Sequence, residues 1–324
     1  MSITNHRIAG VEAFREAAWA SDLSTVQLAP GCMGGSILHA VSDAGSISLG
    51  QFDRSMRARG ILAPAGHVAF GLLLEVEGSS VHWGSEGSAG DVGVVPGQGE
   101  HDAVHHGAVS YLVLTLSTER LAAEFEQRPQ LRNLLDAPRM WKGPPAASLA
   151  ARATGRCAAL ALTGNPAIWS NEASRQCLLD EVAESVLDVV CSEKPTLPSQ
   201  SRSAARRLVK HAEELVRTQR HELRIDRIAA SLQVGRRTLH RAFLEHVGQP
   251  PARYLLHRRL SLVREALSGG EAASVGDAAL RHGFWDFGRF AMQYRRLFGE
   301  SPSKTLTSCA CSPSAGCGPQ TLLS

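Results

Sequence analysis

The stretch GFWDFGRFAMQYRRLFGESPS, residues 283 to 303, sets Phe290, Tyr294 and Phe298 four apart, on one stripe of an α-helix. Arg289, Gln293 and Arg296 fall off that stripe. An apolar seam packs a helix against a partner and leaves its polar residues free. This helix is therefore predicted to be held by one side and to work with the other. Gly299 should end it, because glycine takes the left-handed conformation of a helix terminus without a Cβ penalty.

The pattern has an earlier copy. IAASLQVGRRTLHRAFLEHVGQPPARYL, from Ile228, aligns with AALRHGFWDFGRFAMQYRRLFGESPSKTL, from Ala278, pairing Ala229 with Ala279 and Val234 with Phe284. One extra residue enters at the turn. After it Leu239 falls on Phe290, Phe243 on Tyr294, Val247 on Phe298, Gly248 on Gly299 and Pro251 on Pro302. Each copy reads as a short helix, a turn and a second amphipathic helix, which is a helix-turn-helix. A major groove admits one α-helix, and Arg, His, Gln or Thr near its N-terminal half can reach base edges.

Between the copies, PARYLLHRRLSLVREALSGG carries Leu256, Leu260, Val263 and Leu267 as a stripe, with Arg258, Arg259 and Arg264 read as lying away from it. Pro251 suits its first turn and Gly269-Gly270 its end. A helix of about 16 residues spans roughly 24 Å. The reading helices on either side are then expected to enter successive major grooves about 34 Å apart. Arg258 and Arg259 are expected to meet phosphates.

Charge supports this reading. The chain of 324 residues has a net charge of only +3, but 20 basic and 10 acidic side chains fall between Ser201 and Ser308, against 14 and 21 elsewhere. A basic excess confined to one segment is the electrostatic footprint of a nucleic-acid-binding module. Residues 192 to 204, SEKPTLPSQSRSA, combine two prolines and four serines without an apolar period and are predicted to be a linker. Before them, Leu179, Val182, Val186 and Val189 lie at helical spacing, which suits either a core helix or a dimer seam.

The segment 205 to 308 resembles the DNA-binding domain of the AraC/XylS family of transcription regulators. The likeness rests on the doubled motif, on "RYLLHRRL", and on "VGDAALRHGF" followed by "F…Y…LFG.SP". It implies base-reading positions at Arg237, His240 and Arg241 in the first motif, and at Gly288, Arg289, Met292 and Gln293 in the second. Met292 departs from the pattern, some relatives having arginine there. The resemblance also implies double-stranded DNA, RNA polymerase, a small-molecule effector and a possible homodimer as partners, and activation as the mode of action.

Residues 60 to 117 contain short β-rich runs broken by glycine and proline, the last alternating Tyr111, Val113 and Thr115 with Leu112, Leu114 and Leu116. From Thr118 to Leu135 the pattern turns helical. The expectation is an α+β chain: a cupin-like, jelly-roll sensor domain over residues 1–191, then an all-α double helix-turn-helix domain. "GDVGVVPGQGEH", residues 90 to 101, resembles the second cupin motif, with His101 at a ligand position and His105 and His106 following. Three imidazoles could hold Zn²⁺ or Fe²⁺, which keeps open a metal-dependent cupin enzyme tethered to DNA. Against it, no H-x-H pair stands upstream, only His67 and His82, and Gln98 replaces the expected glycine. No cofactor is expected.

No phosphate loop, G-x-S-x-G elbow, H-E-x-x-H or dinucleotide fingerprint occurs. The first twenty residues lack a basic start with an apolar core, and no run approaches roughly 18 apolar residues, so a cytoplasmic protein is expected. Seven cysteines without a C-x-x-C pair are predicted to be reduced. Residues 309–324, rich in Ser, Gly and Pro, are predicted to be a disordered tail.

Overall fold

Alternation along the strands divides the N-terminal half into layers. The computed structural model describes residues 2–10, 23–192, 195–218 and 224–310. Its strands are β1 (Ser2–Ile8), β2 (Ser24–Gln27), β3 (Gly35–Ser42), β4 (Gly45–Phe52), β5 (Met56–Ile61), β6 (His67–Val76), β7 (Ser79–His82), β8 (Ser85–Gly87), β9 (Val92–Pro96), β10 (Glu100–His106), β11 (Val109–Ser117), β12 (Arg139–Trp141) and β13 (Pro195–Thr196). They form one sheet in the order β1-β3-β4-β11-β6-β9-β12-β13 and a second in the order β2-β5-β10-β7-β8.

One face of the larger sheet packs against helices. Leu112, Leu114 and Leu116 of β11 and Phe70 and Leu72 of β6 share a core with α2 (Pro145–Gly164) and α3 (Glu172–Ser192). Leu179, Val182, Val186 and Val189 all lie in this core, so the α3 stripe is a core seam. Leu121 and Phe125, at and within α1 (Ala122–Gln127), and Leu131 in the following 3₁₀ turn join them. The other face presents Tyr111, Val113 and Thr115 to a cavity between the sheets.

The chain then reaches α4 (Gln200–Thr218), which starts inside the stretch read as a linker, while Pro195–Thr196 pairs with β12 at the sheet edge. The helical part continues with α5 (Ile225–Ser231), α6 (Arg236–Val247), α7 (Pro251–Ser268), α8 (Val275–Arg281), α9 (Phe287–Phe298) and α10 (Pro302–Ala310). Two cores form here. Leu239, Phe243 and Val247 pack with α4 and Tyr254, with Val26 and Val104 of the smaller sheet, and with Leu28 just past β2. Phe290, Tyr294 and Phe298 pack with Leu260, Val263 and Leu267 of α7 and with a group that includes Met33 and Phe52. Both predicted stripes are therefore buried. The tail predicted to be disordered lies outside the described residues from 311 onward.

Candidate nucleic-acid interface

Each motif is shaped by its turn and its helix ends. In the first, α5 and α6 are joined by Leu232 to Gly235, with Gln233 in the left-handed region at φ 54. In the second the turn is one residue longer, and Gly283 at φ 77 takes the left-handed place. Ser274 caps α8 by accepting the Asp277 N–H, and the Asp286 carboxylate caps α9 by accepting the Arg289 N–H. Gly248 and Gly299 close α6 and α9 at φ 70 and 76, as their C-terminal positions require.

The faces expected to read bases are open. Arg237, His240 and Arg241 on α6 are exposed, as are Gly288, Arg289 and Met292 on α9, whereas Gln293 is half-buried. Two arginines in the first turn of α6 have the wrong sign for the helix dipole. Arg236 is compensated by Asp226 of α5. Arg237 stands at the helix N-terminus, where backbone N–H groups and its own guanidinium favour an anion such as a phosphate. Breaking a local rule in this way is what a binding surface does.

The sequence reading passed over two further side chains. Trp285 and Phe287, at the start of α9, are 67% and 48% exposed, and Met292 on the same helix is 64% exposed. Apolar groups in a major groove can contact thymine methyls. The second motif thus offers apolar contact together with the charge of Arg289. An aromatic residue in a turn has no apolar period around it to mark it.

The arginines of α7 are placed differently from the sequence reading. This helix lies among α4, α6, α8 and α10, so His257, Arg258, Ser261 and Arg264 are enclosed as well. Arg258 is only 6% exposed and its Nη1 lies 3.7 Å from Glu265 Oε1. Arg264 is equally buried, 2.9 Å from Glu300 and over the Phe298 ring. The Arg259 guanidinium lies over Phe284 and donates to the Gly283 carbonyl. A phosphate cannot reach Arg258 in this arrangement. Arg258→Met is expected to leave the slope of log affinity against log salt unchanged, where loss of a true phosphate contact lowers it by about 0.9. Salt titrations of both proteins on one duplex decide this.

A sheet of the N-terminal half braces both motifs. Gln27 Nε2 and the Gly31 N–H donate to the carbonyl of Leu297, near the end of α9, at 2.7 and 3.0 Å. Gln249, just past α6, donates to the Leu28 carbonyl at 2.8 Å. Beside them runs a buried ion network. Arg57 of β5 lies 3.2 Å from Asp102 of β10 and 2.8 Å from Glu213 of α4, and donates to the hydroxyl of Tyr254 on α7. Tyr254 in turn donates to Glu213. Asp102 also accepts from Arg206 at 2.6 Å and lies 3.5 Å from His246 of α6. Burial alone would raise the Asp102 carboxyl, but Arg57, His246 and Arg206 hold it well below the usual carboxylate range.

The three histidines of the cupin-like stretch do not share one surface. His101 and His105 line the cavity, with His82 from β7, while His106 does not. Gln98 adopts φ 65, the left-handed conformation for which a glycine would have been suited. Among the described residues, no three His, Cys, Asp or Glu side chains are grouped so as to hold a metal ion. Nor is any described helix long and apolar enough to cross a membrane.

Known proteins resemble the reading half. A family described as "Helix-turn-helix domain" matches residues 228–308. The XylDLEGF operon transcriptional activator of Pseudomonas putida is 35% identical over 105 residues, 32% of this chain and 32% of its own length. The HTH-type transcriptional activator RhaS of Escherichia coli is 41% identical over 81 residues, 25% of this chain and 29% of its own. These matches span about a third of the relatives' length. A solved AraC-type regulator from Chromobacterium violaceum is 26% identical, covering 34% of this chain and 99% of that one, with a TM-score of 0.31.

Proposed function

We propose that this chain, whose C-terminal third carries a helix-turn-helix domain of the AraC/XylS type, is a sequence-specific DNA-binding transcription regulator. It acts as an activator that answers to a small molecule held in its N-terminal half. The observation that carries this reading is the pair of exposed reading helices on either side of α7. Arg237, His240, Arg241 and Arg289 project from them with no side-chain hydrogen bond or ion pair among the described residues. The 18 residues of α7 make a strut of about 27 Å, suited to two grooves on one DNA face. RNA polymerase is the partner that activation requires, and a second copy of the chain is a further one. We assign the DNA-binding domain to residues 205–308; α4, against which its first motif packs, begins at Gln200.

The test is footprinting of the full-length protein on DNA fragments selected by retention from a genomic pool. Two protected patches about one helical turn apart, on one face, are expected. A single patch, or retention without sequence preference, defeats the double-reading proposal. The cupin-enzyme alternative has less support, since His82 and His105 share the Ser80 hydroxyl at 2.9 Å each.

A further inference from the structure

The smaller sheet has two faces with different neighbours. On β5, Met56 and Ala58 face the cavity while Arg57 and Arg59 face the helices. On β10, His101 and His105 face the cavity, while Asp102 and Val104 face α4 and α6. Period-two alternation places the cavity wall and the grip on the reading half one residue apart.

The cavity has about 470 Å³, within the ~300–1,000 Å³ usual for small-molecule sites. Its floor is made by the register row Ile37–Gly50–Tyr111–Leu73 and by the next row, His39–Ser48–Val113–Gly71–Gly93. Glycines of the floor make room for two rings: a Cβ at Gly50 would meet the Tyr111 ring at 2.3 Å, and one at Gly93 the Trp83 ring at 3.2 Å. Rings stand among the aliphatic side chains of the wall. Phe52 stacks with Tyr111, and the His101 ring stands edge-on to Trp83 and to His82.

Apart from Asp43, the polar groups of the wall are chiefly hydroxyls and imidazoles. Burial pushes the His101 imidazole down to about 4 and that of His105 to about 3, and it lowers His82 strongly, so all three are neutral near pH 7. Ser80 can donate to only one of His82 and His105, and must accept the N–H of the other. The buried Nδ1 of His101 has no hydrogen-bond partner. Asp43 is the one carboxylate among the described lining residues, which include no Lys or Arg. Asp43 is exposed at the turn between β3 and β4, and an anionic ligand deeper in the cavity would be desolvated with no cation among the described lining residues to pair with it.

We propose that this cavity binds an uncharged aromatic molecule with a hydrogen-bonding substituent, its ring against Tyr111 and Trp83 and its polar group on His101. The site would be that of the effector in the reading proposed above, on which this inference rests. Occupancy displaces the inner side chains of β5 and β10. Those strands carry Arg57 and Asp102 on their outer face, so the grip on α6 shifts with them.

The experiment uses the full chain and two isosteric probes, benzamide and benzoate, with decanoate as a flexible anion. Calorimetry is expected to show benzamide binding at least about tenfold more tightly than benzoate. His101→Leu is expected to weaken benzamide about tenfold, since one buried hydrogen-bond partner is lost. Should that variant fail to fold, Gly93→Ala, which sets a methyl against Trp83, tests the same seat. Tighter binding of benzoate or decanoate overturns the assignment of ligand class. Absence of binding by every probe overturns the site. Footprinting without ligand separates the two proposals: a footprint with no probe binding leaves the regulator standing and removes this inference, whereas probe binding without specific DNA keeps the ligand class of the cavity and removes its role as an effector site.

Discussion

Arg57→Met is expected to lower stability by about 3–5 kcal/mol, because it strands the Asp102 and Glu213 carboxylates in a buried site without their shared cation. Arg57 joins a strand of the N-terminal half to two helices of the reading half. Its loss should therefore loosen the two halves from each other as well as unfold the chain earlier. Adding Asp102→Asn and Glu213→Gln removes the stranded charge and should recover part of the loss. Thermal unfolding followed by near-ultraviolet circular dichroism tests this. An unchanged midpoint in the single variant would show that the network contributes nothing.

The same network sets an acid limit. Asp102 titrates lower in the folded chain than the ordinary ~3.9 of the unfolded one. The stability it contributes is thus fully present above about pH 4 and is lost as pH falls through the folded value. The wild type should lose stability on acidification below that point. In Arg57→Met this part of the slope should shrink, because the guanidinium that lowers the carboxyl is gone. Equal acid slopes in the two proteins would remove Asp102 as the cause.

Arg241→Ala should cost about 1–3 kcal/mol on the specific site and much less on random DNA. Arg241 sits two residues past Leu239 and two before Phe243, both fully buried, so it is turned outward on α6. A guanidinium there can pair with O6 and N7 of a guanine, which phosphate anchors cannot distinguish. Titration of specific and random duplexes at several salt concentrations separates the two roles. Equal weakening on both duplexes, with a shallower salt slope, would make Arg241 an anchor and relocate the reading face.

The sequence by itself determined the two helix-turn-helix motifs. Their evidence is local: apolar side chains four apart, an extra residue in one turn, and a glycine at each helix end, where Gly248 and Gly299 adopt the positive φ expected of them. The alternation of β11 was legible for the same reason, since a strand with two different neighbours must change character at every residue. On α7 this kind of reading fell short. A stripe of four apolar residues marks one buried face, but neighbours on the remaining faces come from distant parts of the chain, and they enclose Arg258 and Arg264.

Only the tertiary structure decided what the histidines and charges of β10 do. In "EHDAVHH" the sequence shows polar residues in a strand, and nothing local tells which of them meet a cavity and which meet α4. That assignment depends on packing between Asp102 and residues 104 and 144 positions further on, Arg206 and His246. Pairings at such separation leave no period in the sequence. The cavity is equally invisible there, because Gly50, Gly71 and Gly93 read singly as strand interruptions. Brought into adjacent rows of one sheet, Gly50 and Gly93 make room for the Tyr111 and Trp83 rings, and Gly71 leaves the floor between them uncovered.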